Sequence, residues 1–444
     1  WRHNLLRLCC WSGAGMSVAN KLLQAAAGNS GEAEEYQIAS LETSKTAGSA
    51  VMPHGPPART DDGIFMTGYQ NSAFVGGSLQ KQGFFAAGLS TDLSSLDDDV
   101  RQGGSTSSSG TYNIRNFAID TTNNKMFTYG EFSDTDGIRA YNLPNLTTAF
   151  EGSFSSNARA NKSCVDSNGD FCLIHNNESA IAKISGSDGS VSWSKSFTNL
   201  NSPQIATDGS NFYLAGFDAS DTDKPHVLKI NSSGTLVSDR IISNGRGSPQ
   251  DIVHHDGSLY IYIVDGRDPS DNRFSAVVKH SASDLSTEGA QAYSISGNRL
   301  GSATRIAVGD DGVYVVTAST SITTDFSIFK TASLSDFSID WQSTINPGGT
   351  DTSFNVGGIS VDDTHFYVTT SAGDTGEDDG RYFIVKGPRS GNLIPSGSRI
   401  ATASYAHQSN SAGTKTLSSE GSTFTATGFT SDTNQFTLTY VDEQ

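Results

Sequence analysis

Positive charge is scarce in this chain. Lys and Arg number 29 against 47 Asp and Glu in 444 residues, a formal charge of −18. A surface this acidic repels phosphate backbones and excludes nucleic acid as the main partner. Long hydrophobic runs are missing as well. No apolar stretch approaches the roughly 20 residues of a membrane-spanning helix, so no membrane insertion is expected. Cysteine is rare, at four residues, which excludes a disulfide-built scaffold. Cys164 and Cys172 flank Ser167-Asn168-Gly169-Asp170. A two-residue Asn-Gly turn there sets Cys172 opposite Val165 and turns the two thiols to opposite faces; only a different turn brings them into register. Familiar catalytic signatures are missing too: no Gly-x-Ser-x-Gly elbow, no His-Glu-x-x-His and no phosphate-binding Gly-Lys-Ser/Thr loop.

What the chain has in plenty is turn chemistry. Gly alone numbers 46, with Ser, Thr, Asp and Asn filling much of the remainder. These residues supply the backbone angles of tight turns between short strands. One pattern recurs: an apolar stretch ending near Asp, a short polar turn, then an apolar–aromatic stretch. It runs through Phe117-Ala-Ile-Asp120, Cys164-Val-Asp166, Ile205-Ala-Thr-Asp208, Ile252-Val-His-His-Asp256, Ile306-Ala-Val-Gly-Asp310 and Ile359-Ser-Val-Asp362, with Asp61-Asp62-Gly63 as a weaker first copy. The aromatic positions are Phe65, Phe127, Tyr213, Tyr260, Tyr314 and Tyr367, and Cys172 takes the place once. Their spacing of about 40–60 residues suits a four-stranded propeller blade.

Most copies continue into a third strand ending in Lys183, Lys229, Lys279, Lys330 or Lys386, and two fourth strands carry Trp193 and Trp341. The expected fold is therefore all-β: a propeller of about seven four-stranded blades, with a short N-terminal helix over 17–27 and a β-rich C-terminal tail. A lone four-stranded sheet cannot bury both faces, whereas stacking around a ring buries each face against a neighbour and leaves only short edges. The expected division is 1–49 leader, helix and linker, 50–400 propeller, and 401–444 a Ser/Thr-rich tail or ring closure. Val51-Met52 is a candidate inner strand for the first blade. Residues 1–15 make a poor signal peptide, because Arg7 interrupts a short apolar stretch, and Met16 opens a more natural beginning.

The units resemble the repeats of quinoprotein-like and related seven-bladed propellers. Lys183-Ile-Ser-Gly-Ser-Asp-Gly-Ser-Val-Ser-Trp193 is similar to the quinoprotein blade motif, in which a Gly turn precedes a Trp docked on the next blade. The resemblance covers residues 50–400 and implies the fold. Quinoprotein dehydrogenases also carry an adjacent Cys pair, but Cys9-Cys10 lies outside the propeller, and no matching set of cofactor ligands occurs. Met16-Ser-Val-Ala-Asn-Lys-Leu-Leu-Gln-Ala-Ala-Ala-Gly28 resembles the N-termini of virion proteins of marine tailed bacteriophages. That resemblance implies a virion or extracellular location, with other virion proteins or a host-surface glycan or protein as partner.

Acidic loops follow the second strand of several blades. They hold Asp134 and Asp136, then Asp218, Asp221 and Asp223, then Asp265, Asp268 and Asp271, and last Asp374 and Asp378. Clustered carboxylates on one face are what Ca2+ takes, so it is the one cofactor they suggest, although none has the EF-hand spacing and solvated turns are the plainer reading. His254-His255 ends an inner strand, its rings directed to opposite faces by alternation. No catalytic constellation stands out. The expected function is a non-enzymatic structural or binding propeller; the alternative is a secreted hydrolase, lyase or quinoprotein-like oxidoreductase acting at the central channel.

Overall fold

The computed structural model describes residues 36–442 with breaks in loops, the longer ones at 44–50, 104–111, 155–161, 319–325, 346–352, 404–410 and 427–437. The helix expected over 17–27, Cys9 and Cys10 lie outside the described residues. Seven antiparallel sheets of four blade strands each form a ring, which bears out the all-β, seven-bladed expectation. Blade 4 is typical: Leu200–Thr207 lies innermost, followed outward by Asn211–Asp218, Lys224–Asn231 and Leu236–Ile241. In blade 1 the inner edge is split into Val51–Pro53 and Ala58–Thr60, both paired with Gly63–Gln70.

The repeat follows from the wedge shape of the gaps between blades. Near the axis the strands converge, and the residues there are small: Ala58, Ala118, Cys164, Ala206, Val253, Ala307 and Ser360. Each is register partner to the next strand's large residue: Phe65, Phe127, Cys172, Tyr213, Tyr260, Tyr314 and Tyr367 in turn. The gap widens outward and these larger side chains fill it, all of them fully buried. The apolar core is accordingly split into seven wedges, one between each pair of neighbouring blades.

The other repeated residues join turns and blades. Asp208 receives the backbone N–H groups of Ser210 and Asn211, and the Tyr213 hydroxyl donates to it at 2.7 Å. Asp362 and Tyr367 repeat the arrangement at 2.8 Å. The third-strand lysines reach turns. Lys229 donates to the Ala282 and Ser283 carbonyls of the next blade, Lys386 to that of Thr91, and Lys183 pairs with Asp166 and Asp170 of its own blade. Trp193 docks on the following blade, its Nε1 donating to the Ser232 carbonyl at 2.9 Å, and Trp341 does the same to Arg389 at 3.1 Å.

Each docked indole lies over a glycine. Gly234 has φ +78°, and a Cβ there would stand 2.8 Å from the Trp193 ring. Gly391 under Trp341 repeats both features. Gly234→Ala therefore meets backbone strain and a closed contact together. We expect a loss of about 1–3 kcal/mol, read from the denaturant midpoint; an unchanged midpoint would mean that the dock is loose.

The cysteine register differs from expectation. Cys164 lies directly opposite Cys172, because the hairpin turns over Asp166–Asp170 rather than over Asn-Gly alone. The Asp166 carboxylate accepts the Asn168 and Asp170 N–H groups and holds this longer turn. The bonds from Asp166 N to Asp170 O and from Ile174 N to Lys162 O make the cysteines a hydrogen-bonded pair. At such a position the Cβ atoms stay about 5.5 Å apart, beyond the roughly 3.8 Å of a disulfide. Both thiols are free, and burial raises the Cys172 thiol well above its ordinary range.

The two chain ends complete the ring. Gln37–Thr43, within the stretch 28–60 that the sequence reads as linker or outer strand, is the fourth strand of blade 7, paired with Gly380–Pro388. It closes the ring by joining the N-terminal part of the chain to the last blade. The tail then runs backwards around the perimeter as a belt. Ile400–Ala403 pairs with the outer strand of blade 5, Ser411–Ala412 with blade 4, Leu417–Ser419 with blade 3 and Phe424–Ala426 with blade 2. Finally Leu438–Asp442 pairs with the closing strand itself. Among the described residues no helix is long and apolar enough to cross a membrane.

Candidate functional site

Seven inner strands surround the axis and enclose a cavity of about 360 Å3. Its walls are mostly apolar, from Phe117, Ile205, Ile252, Ile306 and Ile359 among others. The polar groups are concentrated at one register position, two residues before the small axial residue. Blades 2 to 6 carry Asn116, Lys162, Gln204, Asp251 and Arg305 there in succession, all but Gln204 lining the cavity, while blades 1 and 7 present Pro56 and Gly358. In blades 2, 4, 5 and 7 the inner strand is bulged immediately before this position. A bulge interrupts the pairing and re-aims the side chain that follows it.

Asp251 is the centre of the layer. Its Oδ1 accepts the Lys162 ammonium at 2.8 Å, from two blades away, and its Oδ2 accepts the Ile306 N–H of the next blade at 3.0 Å. Oδ1 also accepts the Ile252 N–H. Burial, with the Arg305 charge adding to it, lowers the Lys162 pKa against the opposing pull of Asp251. Arg305 lines the cavity, with Nη1 donating to the Thr304 carbonyl. Gln204 is 6% exposed and donates from Nε2 to the Ser202 carbonyl; its Oε1 meets no partner among the described residues. Two cavity-lining hydroxyls, those of Ser163 and Ser360, are likewise without a partner among those residues.

His254 also lines the cavity, and its ring lies parallel to Tyr213 at 6.0 Å between centroids. Burial lowers its pKa, so neutral imidazole is favoured. His255 turns the other way and meets Asp310 at 3.1 Å. The pair does not converge on one point.

The acidic loops divide. Asp134, Asp268, Asp271, Asp374 and Asp378 lie outside the described residues, and Asp136 and Asp265 fall on the strands Thr135–Asn142 and Ser258–Arg267. In the remaining loop Asp221 pairs with Lys224 at 2.9 Å, and Asp223 has φ +58°. Asp218 is engaged by Lys415 of the belt and by Ser220. Among the described residues no three His, Cys, Asp or Glu side chains are placed to hold a metal.

Several carboxylates of the fold titrate low, Asp208 and Asp218 among them. Burial opposes ionisation of Asp208, but Asn211, Tyr213 and Ser210 donate to it and bring it down to about 2. Burial likewise opposes Asp218, and Lys415 with Ser220 brings it to about 2. Both lie below the ordinary 3.8, so both add stability above about pH 4 and lose it as pH falls toward about 2. The thermal midpoint should drop across that window, and Asp208→Asn, which cannot titrate, should flatten the drop. Equal slopes in both proteins would remove Asp208 from the account.

None of the five polar-layer residues was singled out from sequence. Their signal is nevertheless present: four stand immediately before the recognised repeat, as in Asn116-Phe-Ala, Gln204-Ile-Ala and Arg305-Ile-Ala, and Lys162 stands two residues before it.

No family model and no curated protein matches this sequence. Solved structures do resemble the fold. The Cps50 (Swd1) β-propeller domain of Myceliophteria thermophila is 10% identical, covers 78% of this chain and 98% of its own, and superposes with a TM-score of 0.47. A functionally unknown protein from Desulfotomaculum acetoxidans is 13% identical over 72% of this chain and 95% of its own, with a TM-score of 0.45. The subtype N10 neuraminidase-like protein of a little yellow-shouldered bat influenza A virus from Guatemala is 7% identical over 61% and 92%, with a TM-score of 0.38. The seven sheets establish the propeller by themselves, and these neighbours add nothing on function.

Proposed function

We propose that this chain is a non-enzymatic binding propeller whose ligand is a small molecule seated in the central cavity. The observation that carries the reading is the polar layer within apolar walls, the pattern of a site that orients a ligand by a few directed groups. The one carboxylate in the layer has both oxygens occupied by Lys162 and by the Ile252 and Ile306 N–H groups, so it serves as a fixed brace. A general base needs a carboxylate or imidazole within reach of a substrate proton. Here His254 is stacked on Tyr213, and Asp251 is spent.

A panel of small organic acids, sugars and amines tests the reading by thermal shift. At least one class should raise the midpoint of the native protein, Ser360→Leu should abolish the rise by filling the cavity, and NMR should find every compound unconsumed. No shift from any class would overturn the cavity reading. Consumption of a compound would overturn the non-enzymatic one.

The setting we propose is a virus particle or the extracellular space, with other virion proteins or a host-surface glycan or protein as partner. Its support is the resemblance carried by Met16–Gly28, together with the charge of −18. Mass spectrometry of purified particles should recover the chain in fixed proportion to capsid or tail proteins; its absence would discard the virion part.

A further inference from the structure

We propose that Cys164 and Cys172 form a two-coordinate site for one soft divalent metal ion, of the mercuric kind, held between their sulfurs in the wedge between blades 3 and 4. The chain has four cysteines, and these two meet as direct register partners. Such partners project from the same face of a sheet, and both side chains enter the apolar cluster of Ile174, Ile205, Phe212 and Leu214. Their place in the repeat is a second, separate sign. Six blades put a Phe or Tyr ring at the position of Cys172, and blade 3 puts a thiol there. Blade 3 gives up the wedge-filling ring and sets sulfur across from sulfur.

Geometry selects the kind of ion. In this hydrogen-bonded pair the Cβ atoms stand about 5.5 Å apart, too far for the roughly 3.8 Å of a disulfide. An ion between the sulfurs spans the gap, since two metal–thiolate bonds of about 2.3 Å laid end to end reach about 4.6 Å. Thiolates are the ligands that soft ions take. Among the described residues no three His, Cys, Asp or Glu side chains are placed to hold a metal, so the site offers two ligands where zinc takes four. A mercuric ion accepts two thiolates on opposite sides.

Charge selects the valence. Cys172 is fully buried among apolar side chains, where net charge is costly. A divalent ion breaks two S–H bonds, makes two metal–sulfur bonds and releases two protons, with no change of oxidation state, so the wedge stays neutral. A monovalent ion would leave one negative charge behind. Lys183, the register partner of Cys172 on the third strand, cannot absorb it, because it already pairs with Asp166 at 2.6 Å and Asp170 at 3.0 Å. Cys164 is the half-buried member of the pair and gives the way in.

Mercuric chloride is the probe, added to the full chain carrying Cys9→Ser and Cys10→Ser, which leaves the wedge pair as its only thiols. One mercury per chain should survive gel filtration in excess 2-mercaptoethanol, a one-thiol competitor. X-ray absorption should find two sulfurs at about 2.3 Å and no other ligand. Cys164→Ser should weaken retention about 100-fold, because the second sulfur no longer acts from a fixed distance. Its thermal midpoint shows whether it is folded, and the sulfur count in the parent protein carries the test if it is not. Zinc should not be retained. Two mercury ions per chain, a third ligand, or zinc held by the same thiols would overturn the two-coordinate site. No mercury retained would overturn the site altogether.

Discussion

A chain ending at residue 399 unfolds about 5–10 °C below the full-length protein and self-associates. The belt supplies the fifth strand of blades 2, 3, 4, 5 and 7, so its removal bares five sheet edges at once. A bare edge is a row of unsatisfied N–H and C=O groups that pairs readily with another chain. Each lost backbone hydrogen bond is worth about 1 kcal/mol net. Two side-chain clasps go with them. The Gln342 amide both donates to the Ile400 carbonyl and accepts its N–H, copying a strand pairing at the start of the belt. Lys415 is buried in blade 4, where its ammonium engages Asp218 and its N–H donates to Asp239 at 2.6 Å. Asp239 also accepts from His226. Lys415→Met leaves the Asp218 carboxylate without its ammonium, while the backbone N–H to Asp239 remains, and should alone cost about 3 kcal/mol. Scanning fluorimetry and light scattering on the three proteins decide the matter. An unchanged midpoint and a monomeric truncated chain would show that the belt is passive.

Asp251→Asn costs about 3–5 kcal/mol, because the Lys162 ammonium loses the carboxylate it pairs with. The asparagine can still accept the Ile306 N–H, so the loss reports the ion pair and not the blade contact. Lys162→Met in the same chain removes the uncompensated ammonium and should recover most of the loss. Denaturant midpoints of the four proteins form a double-mutant cycle, and a coupling near zero would mean that the bridge is solvated.

Much of this fold is legible in the chain before any coordinates. The Asp, aromatic and Lys positions recur because each answers a local need: a capped turn, a filled wedge, a bridge to a turn. Tyr213 and Asp208 are five residues apart, and their pairing is within reach of pattern reading. The glycines under Trp193 and Trp341 are legible for the same reason, since a turn needing positive φ marks itself. The cysteine register was not legible, because it depends on whether a turn begins at Asp166 or at Ser167, and the Asp166 side chain settles that.

The belt and the polar layer lie beyond such reasoning. Ser411–Ala412 is two residues long, and no alternation can be read in two residues. Gln37–Thr43 has the look of an ordinary strand, but its partner lies more than 300 residues later. Asn116, Lys162, Gln204, Asp251 and Arg305 share no chemistry that a repeat search would collect; they share only a height along the axis. By itself the sequence determined the blade, its number and its stacking, because those rest on contacts between near neighbours and on one repeated wedge. Only the tertiary structure decided how the ring closes, what girdles it and which charges meet at its centre. Those depend on strands from distant parts of the chain being brought to a common radius and a common height.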